Sequence, residues 1–545
     1  MSATQVPVLI VGGGPAGLAT ALFLRRHNIA CLLAERHAST SPLPRATGVH
    51  ARSMELFREA GIERQVRDAG LALVATEQKG EQASISRVIL RARSLSHLDE
   101  AKVMEVGEPF SRDLSPCEPV WCGQDLLEPE LLAAAVAGGA DIRLATEADT
   151  ITVTGEGVTA DLHNRETGAV TRVAAQYLVA ADGVYSGIRS GLGVERSGAG
   201  VLDYMVSVQF RADLSSVIGD RRFILAFVVN EGVNGVAVCL DGKERWMVWT
   251  AVADQEDQAS YDEKRCIALA RAAIGRDDVP LSITGMFPWE TTHLIADTFR
   301  QQRCFLVGDA AHTHPPHGGF GANAGVQDAH NLAWKLAAVL AGQAGPGLLD
   351  TYEAERRPVG QATADQALIR ERQRQSAAGD PRFRDFPVVI VGYRYSSAAI
   401  QDGMPGGLSH DDALPPGLEL RGAPGSRLPH VWLSRGGAQR SSLDLCAGRL
   451  TLLIPSPGTD WREAAAKADP DGLLTVAESG TDFDDPDGAL AAACDLGPAG
   501  ALLVRPDQFV AWRLGGPGAK AEQPAAEQLA AAVSAILCRT PAPVT

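Results

Sequence analysis

The stretch Val8-Leu9-Ile10-Val11-Gly12-Gly13-Gly14-Pro15-Ala16-Gly17, followed by Leu18 to Arg26 and by Ala30 to Glu35, decides the fold. Val8 to Val11 is a short apolar run rich in Val and Ile and reads as a buried strand. It ends in a Gly-x-Gly-x-x-Gly turn at Gly12, Gly14 and Gly17, after which Leu18 to Arg26 reads as a helix. A second apolar run, Ala30 to Ala34, closes on Glu35, 18 residues past Gly17. Strand, glycine turn, helix, strand and acid together form the dinucleotide-binding fingerprint in its required context. Gly12 permits the tight turn, Gly14 lets the backbone approach a pyrophosphate, and Gly17 lets helix and strand pack closely. The helix N-terminus offers unpaired N–H groups and partial positive charge to phosphates. Glu35 can accept from a ribose 2′-OH. This stretch alone leaves open which dinucleotide binds.

At 545 residues the chain exceeds one ordinary core, so two or three domains are expected. An apolar content of 45% with 21% charged residues is that of a soluble globular protein. The net charge of −16 opposes binding to nucleic acid or to an anionic membrane. Nine cysteines are scattered without a CxxC pair, which fits reduced thiols and a cytoplasmic location. No apolar run reaches the roughly 18 residues of a membrane span. The first residues enter a strand almost at once, with no basic segment ahead of an apolar core, so no signal peptide is expected.

After Glu35 and Arg36, residues 37–49 form a Pro/Ser loop containing Arg45, and Arg52 to Gly61 reads as a helix. Residues 78–110 are polar and irregular, an excursion from the nucleotide fold, to which a helix from Gln124 to Val136 returns. Residues 141–180 alternate apolar and polar in short runs that lead back into a buried strand. That strand ends at Asp182-Gly183-Val184-Tyr185-Ser186-Gly187-Ile188-Arg189, at the sheet edge where ligands of α/β folds bind. Residues 203–295 are β-rich, a floor for a substrate domain. Then a buried strand delivers Gly308-Asp309, a rigid turn follows at Pro315-Pro316, and a glycine loop through Gly321-Ala322-Asn323 enters a helix from Val326 to Leu340. Gly, Pro, Ser and Asp become frequent over 374–427, which marks a boundary, and 428–540 form a further unit with strands near 450–454 and 501–504.

Three motifs in this order resemble the single-component (class A) flavoprotein aromatic hydroxylases: Gly12-x-Gly14-x-x-Gly17 with Glu35; Asp182-Gly183 with Ser186 and Arg189; and Gly308-Asp309 with Pro315-Pro316 and Gly321-Ala322-Asn323. The likeness covers about residues 5–370. Pro424-Gly425, Leu443-Asp444 and Val504-Arg505-Pro506-Asp507-Gln508-Phe509-Val510-Ala511-Trp512-Arg513 look like the thioredoxin-like C-terminal domain of the phenol and polyketide hydroxylase branch. Without a CxxC, packing or homodimerisation is its expected role.

The resemblance implies an α/β fold: a Rossmann-like FAD-binding domain (1–78, 111–192, 296–373), an inserted β-sheet substrate domain (79–110, 193–295), a linker (374–427) and a thioredoxin-like domain (428–545). It implies non-covalent FAD, with Gly12, Gly13, Gly14, Pro15, Ala16 and Gly17 at the pyrophosphate, and Glu35 with Arg36 at the adenosine ribose. Gln124 is implied at the diphosphate and ribityl chain, Asp309 at a ribityl hydroxyl, and Pro316, Gly321, Ala322 and Asn323 at the flavin ring. Asp182 and Gly183 are implied to serve both FAD and a visiting NADPH or NADH, and Arg45 to sit near the mobile isoalloxazine as the catalytic arginine. With one dinucleotide fingerprint in the chain, the nicotinamide cofactor has no Rossmann domain of its own. Phe227, Trp246, Met247, Phe287 and Trp289 are candidates to line a pocket for a flat substrate. His312, His314 and His317 fit the flavin loop better than a metal site, so no metal is expected.

The implied reaction is insertion of one oxygen atom from O2 into a polycyclic aromatic polyketide, through a flavin C4a-(hydro)peroxide. No His or acid stands out as a substrate base. Baeyer–Villiger or epoxidising oxygenation is the alternative on the same scaffold. A catalytically silent flavin-binding protein is the rival from another class.

Overall fold

The N-terminal apolar run forms the strand Thr4–Val11, central in an eight-stranded sheet. It pairs in parallel with Cys31–Ala34 on one side and Val170–Ala180 on the other. Val8, Leu9 and Ile10 are fully buried, as expected of a parallel strand covered on both faces. The last residues of Val170–Ala180 pair in parallel with Cys304–Leu306. Three strand ends thus lie side by side, and the motifs that follow them, at Gly12, Asp182 and Gly308, share one sheet edge. The structure, a computed structural model, describes residues 3–74, 84–106, 110–373, 379–401, 408–446, 448–457, 460–469, 472–515 and 526–539.

Close approach explains two of the fingerprint glycines. Gly12 has φ of +106°, and a Cβ there would lie 2.2 Å from the Ala181 carbonyl oxygen. A Cβ on Gly17 would lie 2.0 Å from the Gly12 carbonyl oxygen. The helix that begins at this turn, Pro15–Arg26, packs along the long helix Phe320–Leu340. That long helix starts six residues earlier than the apolar pattern suggested, so Gly321, Ala322 and Asn323 form its first turn.

A second eight-stranded sheet runs in the order His312–Thr313, Ser282–Ala296, Arg196–Arg211, Arg245–Val252, Val233–Cys239, Leu225–Asn230, Val88–Ala92 and Lys102–Val106. The last two strands fall in the stretch read as irregular. Val88, Leu90 and Ala92 alternate with more exposed residues, and strand pairing satisfies their backbone where composition alone gave no signal. One face of the sheet packs Val208, Phe210 and Val248 against helix Glu263–Ile274. The other face meets a small sheet of Gly48–Val49, Val120–Trp121, Leu71–Val74 and Ser84–Ser86.

At the C-terminal end, Thr451–Ile454 and Thr475–Glu478 pair in parallel across helix Trp461–Ala468. Ala501–Val504 and Val510–Leu514 then add antiparallel, and helix Ala526–Ile536 packs on Trp461–Ala468. This strand and helix order is thioredoxin-like. Between the large units, helix Phe386–Val391 is buried along Val388 to Val391, and the Tyr395 ring stacks on Phe509 at 4.1 Å. Part of the stretch read as a linker is therefore core, because a short apolar run is hidden inside a Gly/Pro-rich average. Among the described residues no helix is long and apolar enough to cross a membrane, and all nine cysteines are free thiols.

Candidate functional site

The glycine turn presents open space at the helix start. A Cβ on Gly14 would meet nothing within 4 Å, and the first N–H groups of Pro15–Arg26 have no intrahelical acceptors. Glu35 closes the turn: its Oε2 accepts from the Gly13 N–H at 2.6 Å, and its Oε1 accepts from the His37 N–H at 2.8 Å. Arg36 is exposed beside it.

The second motif is held by its own polar atoms. Asp182 accepts from the Ser186 hydroxyl at 2.6 Å and from the Ile188 N–H at 3.1 Å, while Ser186 Oγ accepts from the Arg189 N–H at 3.0 Å. Arg189 then donates to the Ala310 carbonyl at 3.2 Å, which ties this loop to the third motif. Gly183 has φ of +82° with open space where a Cβ would stand.

Asp309 opens outward and accepts no hydrogen bond from the described residues. Burial among the surrounding groups pushes its carboxyl up, against the pull of His312 and Arg45. Arg45 is exposed on the loop before Gly48, near enough for its charge to act on Asp309 and Glu128. Gln124 donates from its backbone to the Ala46 carbonyl at 2.7 Å and from Nε2 to Glu128 at 2.6 Å. Pro15, Gly48, Ser53, Gln124, Ala322 and Asn323 line one small cavity. Asn323 Oδ1 accepts from the His50 N–H at 2.9 Å and the Ser53 hydroxyl at 2.7 Å, and its Nδ2 donates to the Gly48 carbonyl at 2.9 Å. The N–H groups of Gly321 and Ala322, in the helix's first turn, lack intrahelical acceptors. Pro316 is exposed on the loop just before.

The three histidines go to separate partners. His312 pairs with Asp328 at 2.7 Å, His314 donates from Nε2 to the Gly360 carbonyl at 3.2 Å, and His317 lies 3.9 Å from Glu371. Burial and the neighbouring His312 push His314 well below the usual imidazole range, so it is neutral. Asp328 was not visible as a site residue in the sequence. It also accepts from Arg356 at 2.7 Å and from the Gly308 N–H at 3.1 Å, fixing the strand end that carries Asp309. Burial alone would raise its carboxyl, but His312 and Arg356 outweigh burial and hold it at about 2.

The pocket candidates divide between two faces. Phe287 and Trp249 both oppose Ser207, Trp249 opposes Val236, and Val236 opposes Phe227. Phe287, Trp249 and Phe227 therefore share one register row, partly exposed on the face towards the small sheet and Trp121. Met247 lies on that face too, and Trp289 donates its indole N–H to Ser207 at 2.8 Å. Trp246 lies on the other face, 1% exposed, packed near Phe223. Strand alternation forbids Trp246 and Met247 from sharing a pocket, and it puts Trp249, not among the expected pocket residues, on the same face as Met247.

Residues 5–367 match the family described as FAD binding domain, and residues 421–540 match the one described as aromatic-ring hydroxylase, C-terminal. The chain belongs to the FAD-dependent aromatic-ring hydroxylases. FAD is accordingly the dinucleotide of this fold, and the open space at Gly14 and the outward-facing side chain of Asp309 fit it. The tetracenomycin B2 monooxygenase-dioxygenase of Streptomyces olivaceus is 45% identical over 522 residues, covering 94% of this chain and 96% of that protein. The aklavinone 12-hydroxylase RdmE of Streptomyces purpurascens is 36% identical over 540 residues, covering 96% and 98%. The crystal structure of aklavinone-11 hydroxylase with FAD and aklavinone superposes with a TM-score of 0.86 at 34% identity, covering 99% of this chain and all of that one. The architecture is that of these hydroxylases, an FAD-binding part and a C-terminal part.

Proposed function

We propose that this protein is an NAD(P)H-dependent FAD monooxygenase that inserts one oxygen atom of O2 into a polycyclic aromatic polyketide. The observation that supports it best is the apolar row Phe287, Trp249 and Phe227, a flat wall facing Trp121 of the small sheet. Such a wall takes an extended ring system by stacking and excludes water. The relatives described above carry tetracenomycin B2 and aklavinone in their names.

Bound FAD supplies two-electron chemistry and activation of O2. The chain's residues hold it in order. The Gly12–Gly17 turn and the helix N-terminus would meet the diphosphate, with Glu35 at the adenosine ribose. Asp309 and Gln124 would take the ribityl chain, and the N–H groups of Gly321 and Ala322 would offer positive potential to the ring's pyrimidine edge. Asp182 keeps the neighbouring loop closed through Ser186 and Ile188. Arg45, on an exposed loop, would supply positive charge beside the ring.

Purified holoenzyme should oxidise NADPH or NADH slowly alone and much faster with a multi-ring phenolic substrate. Oxidation that no aromatic compound stimulates would favour a silent flavin-binding protein instead. Two relatives, 45% and 42% identical, carry both monooxygenase and dioxygenase in their names. A second reading follows, in which both atoms of O2 enter the product.

A further inference from the structure

The C-terminal unit has no chemistry assigned to it, yet one of its loops reaches the helices that frame the flavin end of the cavity. Arg505 to Phe509 connect strands Ala501–Val504 and Val510–Leu514. Gln508 has φ of +68° although it is not glycine, a conformation that costs about 1 kcal/mol. Its side chain is 3% exposed and fully used: Oε1 accepts from Arg52 Nη1 at 2.5 Å, and Nε2 donates to Glu59 at 2.9 Å. The Asp507 carbonyl takes a second bond from Arg52 at 2.9 Å. Asp507 Oδ2 accepts from Asn331 and Trp334, both at 3.2 Å.

Arg52 and Glu59 stand on helix Ala51–Ala60, while Asn331 and Trp334 stand on helix Phe320–Leu340. The loop thus grips two helices at once. At their N-terminal ends the same two helices meet through the bond from Ser53 to Asn323, which lies on the cavity wall. A solvated hairpin would have no reason to hold a strained, buried glutamine. A device that fixes the spacing of two helices would.

We propose that Asp507 and Gln508 are positioning residues for FAD: by clamping the two helices they set the distance at which Ser53 meets Asn323, and so the shape of the flavin-end cavity. The proposal rests on placing the flavin ring at Gly321–Asn323. Gln508→Gly removes both side-chain bonds while relieving the backbone, and Gln508→Met removes them while filling the space. Arg58→Met is the control. It breaks a different contact of the same helix with the C-terminal unit, the ion pair to Asp444 at 2.9 Å. Ser53→Ala tests the placement of the ring itself.

Titration of each apoprotein with FAD, with visible circular dichroism of the bound flavin, is the experiment. Both Gln508 variants should weaken FAD about tenfold and change the flavin signal, within the roughly 5- to 150-fold range of couplings between sites. Arg58→Met should stay within about twofold of the parent. The proposal is overturned if the Gln508 variants bind FAD like the parent, if Arg58→Met weakens it equally, or if both Gln508 variants fail to fold while Arg58→Met folds. If Ser53→Ala leaves FAD binding unchanged, the ring lies elsewhere, and it is the placement that fails rather than the clamp.

Discussion

Replacing Gly14 by alanine separates the fold from the cofactor. Gly14 has φ of −74° and ψ of −178°, which any L residue adopts, and its added methyl would meet no protein atom within 4 Å. The apoprotein should therefore fold unharmed, and the loss of chain entropy in the unfolded state should stabilise it by about 0.4–1 kcal/mol. The methyl instead fills the space through which the helix N-terminus would face the diphosphate. Losing one charge-assisted hydrogen bond there costs about 1.5–3 kcal/mol. At 1.4 kcal/mol per factor of ten, FAD affinity should fall by roughly 10- to 100-fold. Titration of FAD into apoprotein, read by quenching of flavin fluorescence, measures the second quantity, and thermal melting of the apoprotein measures the first. A Gly14→Ala protein that melts normally and still binds FAD within twofold of the parent would refute the assignment of this turn to the diphosphate.

Gly17→Ala should behave oppositely, because its methyl would stand 2.0 Å from a backbone oxygen: soluble yield and melting temperature should fall before FAD binding can be assayed. Trp246→Ala should cost about 3–5 kcal/mol in a denaturant melt, since the side chain is core, whereas Trp249→Ala should mainly raise KM for the ring substrate. Asp328→Asn leaves Arg356 buried beside a neutral partner and should cost about 3 kcal/mol or more by the same melt. Burial lowers His50 to about 4, against about 6.5 in the unfolded chain, so the unfolded chain takes up the proton first. Stability from this residue is whole above about pH 6.5 and declines as pH falls towards 4, by up to about 3 kcal/mol, a slope that His50→Phe should reduce.

The nucleotide half of the site was legible because its chemistry is local. Gly12, Gly14, Gly17 and Glu35 lie within one strand, turn, helix and strand, and each follows from what a tight turn or a close approach permits. The register of the long strand Val170–Ala180, which brings Asp182 and Gly308 to the same edge, is a long-range pairing that no window of sequence contains. Asp328 escaped notice for a related reason. It reads as an ordinary helix acid, and only tertiary packing sets it between His312, Arg356 and Gly308. Trp246 is core because strand alternation turns it to the face opposite Met247 and Trp249. The strands at Val88–Ala92 and Lys102–Val106 gain their stability from pairing at the edge of a distant sheet, which composition does not report.

The reaction itself is tested most directly by supplying holoenzyme, NADPH and a tetracyclic phenolic substrate with 18O2 and weighing the product. One 18O atom in a new hydroxyl group per NADPH consumed is the expected result, with the second atom leaving as water. A product without 18O, or NADPH consumption that yields only hydrogen peroxide with every ring substrate tried, would contradict the assignment of this protein as an oxygen-inserting enzyme.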